Sequence, residues 1–189
     1  MRAVKRSPGS VRIIGGRWRG TKLPVADVEG LRPTPDRTRE TLFNWLQPAL
    51  PGARVLDLFA GSGALGFESL SRGAREALLV ERDPRQCGLL RETARRLPGG
   101  DAASVVQADA IAFLRTPPQE RFDVAFVDPP FAADLWAQAL AALPAWLSDQ
   151  AWLYVESPLR RSIDPGAGWR EHRQGGSRDT RYVLYRRDA

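Results

Sequence analysis

Between residues 53 and 156, short apolar runs of strand length alternate with longer segments of helical spacing, and few folds accommodate that alternation. Arg54–Leu58, Ala77–Glu81, Ser104–Gln107, Phe122–Val127 and Trp152–Glu156 read as five buried-type strands. Helices are expected over about 64–72, 84–96 and 134–147, with a short one after Asp109. Trp169–Arg173 and Arg181–Tyr185 read as a closing antiparallel pair. Strands that alternate with helices form a doubly wound α/β sheet, mostly parallel, with helices on both faces.

Upstream, a helix is expected to begin near Thr34. Thr34 would serve as its N-cap and Pro35 as its first residue, where the missing N–H costs nothing. Thr38, Leu42, Trp45 and Leu46 then share one face. Before it, two short β-prone runs meet around Gly15-Gly16 and suggest a hairpin. Residues 1–10 read as a disordered basic arm, 11–33 as a hairpin extension, and 34–189 as the main domain.

Charge is unevenly placed. Residues 1–40 hold ten Arg/Lys against four Asp/Glu, residues 41–156 ten against fourteen, and residues 157–189 eight against four. Basic ends flanking an acidic middle attract phosphate backbones, although an arginine bias from codon composition would look the same. A single cysteine, Cys87, and a single histidine, His172, exclude an intramolecular disulfide and a Cys/His zinc cluster, so no metal is expected. No apolar run is long enough to cross a bilayer, and the basic start leads into no signal core. A cytoplasmic monomer without membrane contact is expected.

In doubly wound sheets ligands bind outside the carboxyl ends of the strands, where strand order reverses. Chemistry-bearing residues gather at those ends here. Asp57-Leu-Phe59-Ala-Gly61-Ser62-Gly63-Ala-Leu-Gly66 follows strand one. Its glycines permit close backbone approach to a ligand, and the helix behind them offers free N–H groups. Taken alone this stretch also satisfies the dinucleotide fingerprint, or serves as a structural turn. Glu81, followed by Arg82, ends strand two, where a carboxylate accepts both hydroxyls of a ribose. Asp109, followed by Ala110, comes after strand three, as an adenine acceptor, a helix cap, or both.

Asp128-Pro129-Pro130-Phe131 follows strand four. An exocyclic base amine is a poor nucleophile because its lone pair is delocalised into the ring. A carboxylate and a nearby backbone carbonyl that accept its N–H bonds favour the pyramidal, electron-rich form, most strongly as positive charge develops on nitrogen. Prolines stiffen the turn, and Phe131 offers a face on which a flipped-out base stacks. This pattern points to methyl transfer onto an amino nitrogen.

With these residues the chain resembles the class I S-adenosylmethionine-dependent methyltransferases, whose Rossmann-like sheet has about seven strands with the last antiparallel. Asp128–Phe131 resembles the signature of their amino-methylating branch. The segments Arg12–Leu23, Leu31–Trp45 and Asp57–Gly66 are together similar to the bacterial RsmD type, which are small-subunit ribosomal RNA guanine-N2 methyltransferases. The resemblance implies that Asp57, Gly61 and Gly63 surround the methionine part of S-adenosylmethionine, that Glu81 holds the ribose, and that Asp109 holds the adenine. Asp128, Pro129 and Phe131 would hold and activate the guanine amine. Arg12, Arg17, Trp18, Arg19 and Lys22 would grip ribosomal RNA in the small subunit or its assembly intermediate. Trp18 either stacks on a base or packs the hairpin onto the domain. Arg37 and Arg39 face cofactor, RNA or solvent, and Arg37 counts among the expected RNA contacts. His172 is expected to be a bystander. Competing readings are transfer to adenine-N6 or a protein glutamine, a nicotinamide-dependent oxidoreductase, and a non-catalytic RNA-binding factor.

Overall fold

The structure is a computed structural model, and it describes residues 9–26 and 34–187. The expected arm therefore lies outside the described residues except for Gly9 and Ser10. So does the resembling stretch Leu31–Pro33.

Seven strands form the central sheet: β3 (Arg54–Asp57), β4 (Glu76–Glu81), β5 (Ala103–Gln107), β6 (Phe122–Val127), β7 (Leu147–Pro158), β8 (Trp169–Gly176) and β9 (Thr180–Arg187). Their order is β5-β4-β3-β6-β7-β9-β8. β5, β4, β3, β6 and β7 run parallel, β9 pairs antiparallel with β7, and β8 pairs antiparallel with β9. From β3 the chain winds outward through β4 to β5, then returns to β6 on the other side. The order thus reverses between β3 and β6, where a crevice opens at the carboxyl ends.

The helices are α1 (Asp36–Leu46), α2 (Ala64–Ser71), α3 (Pro84–Arg96), α4 (Ala110–Leu114) and α5 (Trp136–Ala142). α3 starts as its sequence dictates, with Pro84 in the first turn and Asp83 accepting the N–H groups of Arg85 and Gln86. α5 is much shorter than the expected 134–147. Pro144 has no N–H to continue it, and residues 143–146 tighten into a 3-10 turn. Asp134, in the left-handed conformation, separates α5 from the turn Phe131–Ala133. The strand expected at 152–156 grows to Leu147–Pro158, with an irregular register against β6.

α2 is buried on every side, Glu68 included, because the N-terminal segment covers the face turned away from the sheet. In that segment β1 (Ser10–Arg12) pairs antiparallel with β2 (Lys22–Pro24). The connection is not a tight turn at Gly15-Gly16; residues 16–18 form a 3-10 turn between the strands. Gly16 sits at φ 74°, where a Cβ would meet the Ser71 carbonyl oxygen, so only glycine permits the contact with α2. Val11, Ile13, Trp18, Leu23 and Val25 enter the same apolar core as Phe67 and Leu70. The extension is a layer of the domain, not an appendage beside it.

Buried charge fixes this layer. Glu68 accepts the N–H groups of Ile14 and Gly15, each at 2.8 Å, and the Arg72 guanidinium at 2.7 Å. Arg39, fully buried, donates to the carbonyls of Arg12 and Thr34 and to Asp36, and stands 3.7 Å from Glu68. Arg39 thus ties α1 to the N-terminal strand, a role its sequence position did not reveal. No helix among the described residues is long and apolar enough to cross a membrane.

Candidate active site

A hollow of about 410 Å³ lies at the carboxyl ends of β3, β4, β5, β6 and β7. Phe59, Ala60, Gly61 and Ser62 after β3, Glu81 and Arg82 after β4, and Asp109 and Ala110 after β5 line one half. Asp128, Pro129, Pro130 and Phe131 after β6, Glu156 on β7, and Thr34 line the other. Residues far apart in the chain thus converge on one cavity.

The glycine turn is built from below. Asp57, 2% exposed, accepts the Gly66 N–H at 2.9 Å, so the end of β3 grips the first turns of α2. Burial pushes its carboxyl up to about 7, against the lowering effect of the Gly66 bond and with a further upward push from Glu81. Gly63, at φ 76°, caps α2 in the left-handed region, and a Cβ there would strike Leu90 and Phe67. Neither Asp57 nor Gly63 lines the hollow. Asp57 and Gly63 shape the turn from beneath, while Gly61 and Ser62 meet the cavity.

Glu81 accepts the Gly61 N–H at 3.0 Å through one oxygen and the Asp83 N–H at 2.8 Å through the other. This orients its carboxylate toward the cavity while leaving each oxygen a second lone pair. Asp109 accepts the Ala112 N–H at 2.9 Å through Oδ1 and also lines the hollow, so the cap and the cavity wall are one residue. Val80, Leu65 and Ala110 add apolar walls between these carboxylates. The hollow thus offers carboxylate acceptors for hydroxyl or amino groups beside apolar surface for a ring.

Across the hollow, Asp128 is half-buried, Pro129 buried and Phe131 half-buried. The Phe131 ring rests against Trp136 at 5.8 Å between centroids, which fixes its face at the rim. Trp136 is itself anchored by its indole N–H, which donates to the Glu156 carbonyl at 2.8 Å. The tight proline turn thus presents an acid and an aromatic face to the same cavity.

Two residues here were not expected from sequence. Thr34 does not cap α1, because Pro35 takes the cap position in extended geometry and the helix starts at Asp36. Its hydroxyl turns inward, 3.3 Å from Asp128 Oδ2 and 3.2 Å from Glu156 Oε2. Glu156, 5% exposed, also accepts the Tyr154 hydroxyl at 2.8 Å. Burial first, then the nearby Glu156 and Asp128, push the Tyr154 phenol well above its ordinary value, keeping it a donor. Glu156 ends the strand expected at 152–156 and lies near the end of β7, so the strand-end rule could have found it.

Of the expected RNA contacts, Arg12, Arg17, Arg19 and Lys22 are exposed. Trp18 is not available to a base. It is 4% exposed, meets Phe67 edge-on at 6.5 Å, and donates its indole N–H to the Pro98 carbonyl at 3.0 Å. Packing is its role, and its RNA assignment is corrected. The Arg17 guanidinium covers its ring at 4.3 Å. Arg12 is engaged by Asp36 at 2.9 Å. Arg37 is exposed on α1 and does not line the hollow. His172, on the edge strand β8, packs against Trp152 and does not line the hollow.

The family model described as Conserved hypothetical protein 95 matches residues 11–186. The chain is 46% identical to the ribosomal RNA small subunit methyltransferase D of Escherichia coli, covering 96% of this chain and 92% of that one. It is 42% identical to its namesake in Haemophilus influenzae, covering 94% of each. The solved structure of yhhF from Escherichia coli superposes with a TM-score of 0.86 at 44% identity, covering 96% of this chain and 99% of that one.

Proposed function

The chain belongs to the Conserved hypothetical protein 95 family, and from that membership we propose that it transfers a methyl group from S-adenosylmethionine to N2 of a guanine in 16S ribosomal RNA. It is a methyltransferase, as its curated relatives are. The products would be N2-methylguanine and S-adenosylhomocysteine. The observation that carries the reading is the shared cavity: the glycine-turn half and the Asp128–Phe131 half face each other across one hollow.

In this reading Glu81 holds the ribose hydroxyls of the donor, Asp109 and Ala110 border its adenine, and Gly61 and Ser62 border its methionine part. Phe59 and Arg82 close that side. When bound, the donor supplies the sulfonium methyl. Asp128 and the Pro129 carbonyl accept the N–H bonds of the target amine and stabilise the positive charge that develops on its nitrogen. Phe131 stacks on the flipped base. The attacked amine, once alkylated, loses its proton without a strong base.

Arg12, Arg17, Arg19 and Lys22 on the N-terminal layer bind the phosphate backbone, within the small subunit or an assembly intermediate of it. The test is direct. Purified protein is incubated with labelled S-adenosylmethionine and with small subunits or their RNA from cells lacking the gene, and the digested RNA is read by mass spectrometry. N2-methylguanine at one position supports the reading. Label in adenine, or none in RNA, overturns it.

A further inference from the structure

Asp128 and Glu156 converge on one corner of the hollow. Asp128 follows β6 and Glu156 stands next to it near the end of the neighbouring β7, and a single hydroxyl, Thr34 Oγ1, lies within hydrogen-bond reach of both. Glu156 is held there by Tyr154 from beneath, and Trp136 fixes its backbone. The corner thus presents two carboxylates side by side, rigidly, to whatever base enters beside Phe131.

The amino-bearing bases differ in what sits next to the amine. The adenine amine at C6 and the cytosine amine at C4 each adjoin a ring nitrogen that accepts hydrogen bonds. The guanine amine at C2 adjoins N1–H, which donates. A side-chain amide adjoins its own carbonyl. A second carboxylate beside the one that holds the amine therefore matches guanine and repels the others, whose lone pair it would face.

We propose that Glu156 is a specificity-determining residue that accepts guanine N1–H while Asp128 accepts the N2 amine. This deepens the proposed guanine-N2 activity and rests on it. Tyr154 and Thr34 act through Glu156, as positioning residues that fix the carboxylate against the base edge. The sequence resemblance alone offered no physical reason for guanine over adenine; the paired strand-end carboxylates supply one.

The experiment uses the full-length protein and small-subunit RNA assembled with its proteins, ligated to carry either guanine or 2,6-diaminopurine at the modified position. Diaminopurine keeps the N2 amine but has an acceptor at N1. The wild-type protein should favour guanine by at least about tenfold in kcat/KM, the factor one well-placed hydrogen bond carries. Glu156→Gln offers an N–H donor to N1, so it should lose guanine activity by about tenfold or more and gain on diaminopurine, shrinking or inverting the preference. Equal losses on both bases, or no change, would make Glu156 merely structural and overturn the proposal. Should the variant not fold, the wild-type ratio still decides, since equal rates on the two bases also overturn it. Failure of the wild-type protein to methylate even the guanine RNA would instead remove the guanine-N2 activity itself.

Discussion

Asp57 Oδ2 accepts the Gly66 amide N–H at 2.9 Å, joining the end of β3 to α2 beneath the glycine turn. The turn above it therefore has a fixed floor, and the floor carries an acid whose ionisation is costly in its buried position. Unfolded, that carboxyl titrates near 3.8; folded, at about 7. Between these values the native protein holds a proton the unfolded chain has released, so this group's stabilising contribution falls as pH rises from about 4 to about 7 and is level above. Asp57→Asn keeps an oxygen for the Gly66 N–H but cannot ionise. Its melting temperature relative to the wild-type protein should therefore rise across that pH range. A constant difference between the two melting curves from pH 4 to pH 7 would show that Asp57 ionises normally in the fold.

Glu68 makes a second prediction. It is fully buried, holds the amides of Ile14 and Gly15, and faces Arg39 and Arg72. Glu68→Ala would leave the partly buried Arg72 guanidinium without its carboxylate and two amides without their acceptor, a loss of about 3 kcal/mol. The N-terminal layer should loosen first, because this carboxylate holds two of its backbone amides, those of Ile14 and Gly15. Hydrogen exchange at Ile14 and Gly15 should accelerate far more than at Val124 in the centre of the sheet. Uniform acceleration across both would mean that the layer has no separate anchor.

The alternating strands were legible because buried parallel strands are near-continuous apolar runs, as in Val124–Val127. The strand-end carboxylates Glu81, Asp109 and Asp128 followed from the sheet rule alone. What sequence misjudged was tertiary in origin. Thr34 reads as a cap because Thr before Pro is one locally, but two carboxylates 94 and 122 residues away draw its hydroxyl inward. Trp18 between Arg17 and Arg19 reads equally as a base-stacking or a packing residue, and only the enclosing Phe67 and Pro98 carbonyl decide for packing. Asp57 is placed beside the ligand by the resemblance alone; its burial beneath the glycine turn is visible only once α2 is docked over it.

The exposed cations of the N-terminal layer carry a third prediction. Arg17 and Arg19 flank a buried tryptophan; reversing them removes the Arg17 guanidinium from its ring but leaves its contacts with Phe67 and the Pro98 carbonyl in place. Arg17→Glu with Arg19→Glu should weaken RNA binding and reduce the slope of log affinity against log salt by about one for each phosphate no longer neutralised. Melting temperature should change little. A slope equal to the wild-type value would place these residues away from the RNA.

The fourth prediction isolates the chemistry. Asp128 stands in the half of the hollow opposite Glu81 and Asp109, so truncating it leaves the proposed donor subsite whole. Asp128→Ala removes the oxygen that would accept the amine N–H as charge develops, an interaction stronger in the transition state than in the bound ground state. Turnover should fall by about a hundredfold or more, the scale on which one such acceptor acts, while affinity for S-adenosylmethionine, read by calorimetry, stays within about twofold. Asp128→Asn keeps one acceptor oxygen but replaces the other with a donor and removes the charge, so it should fall between the two. A change confined to KM would mean that Asp128 binds substrate and transition state alike. Unchanged turnover in the alanine variant would remove Asp128 from the reaction, and the amine would then need another acceptor on the rim between Pro129 and Phe131.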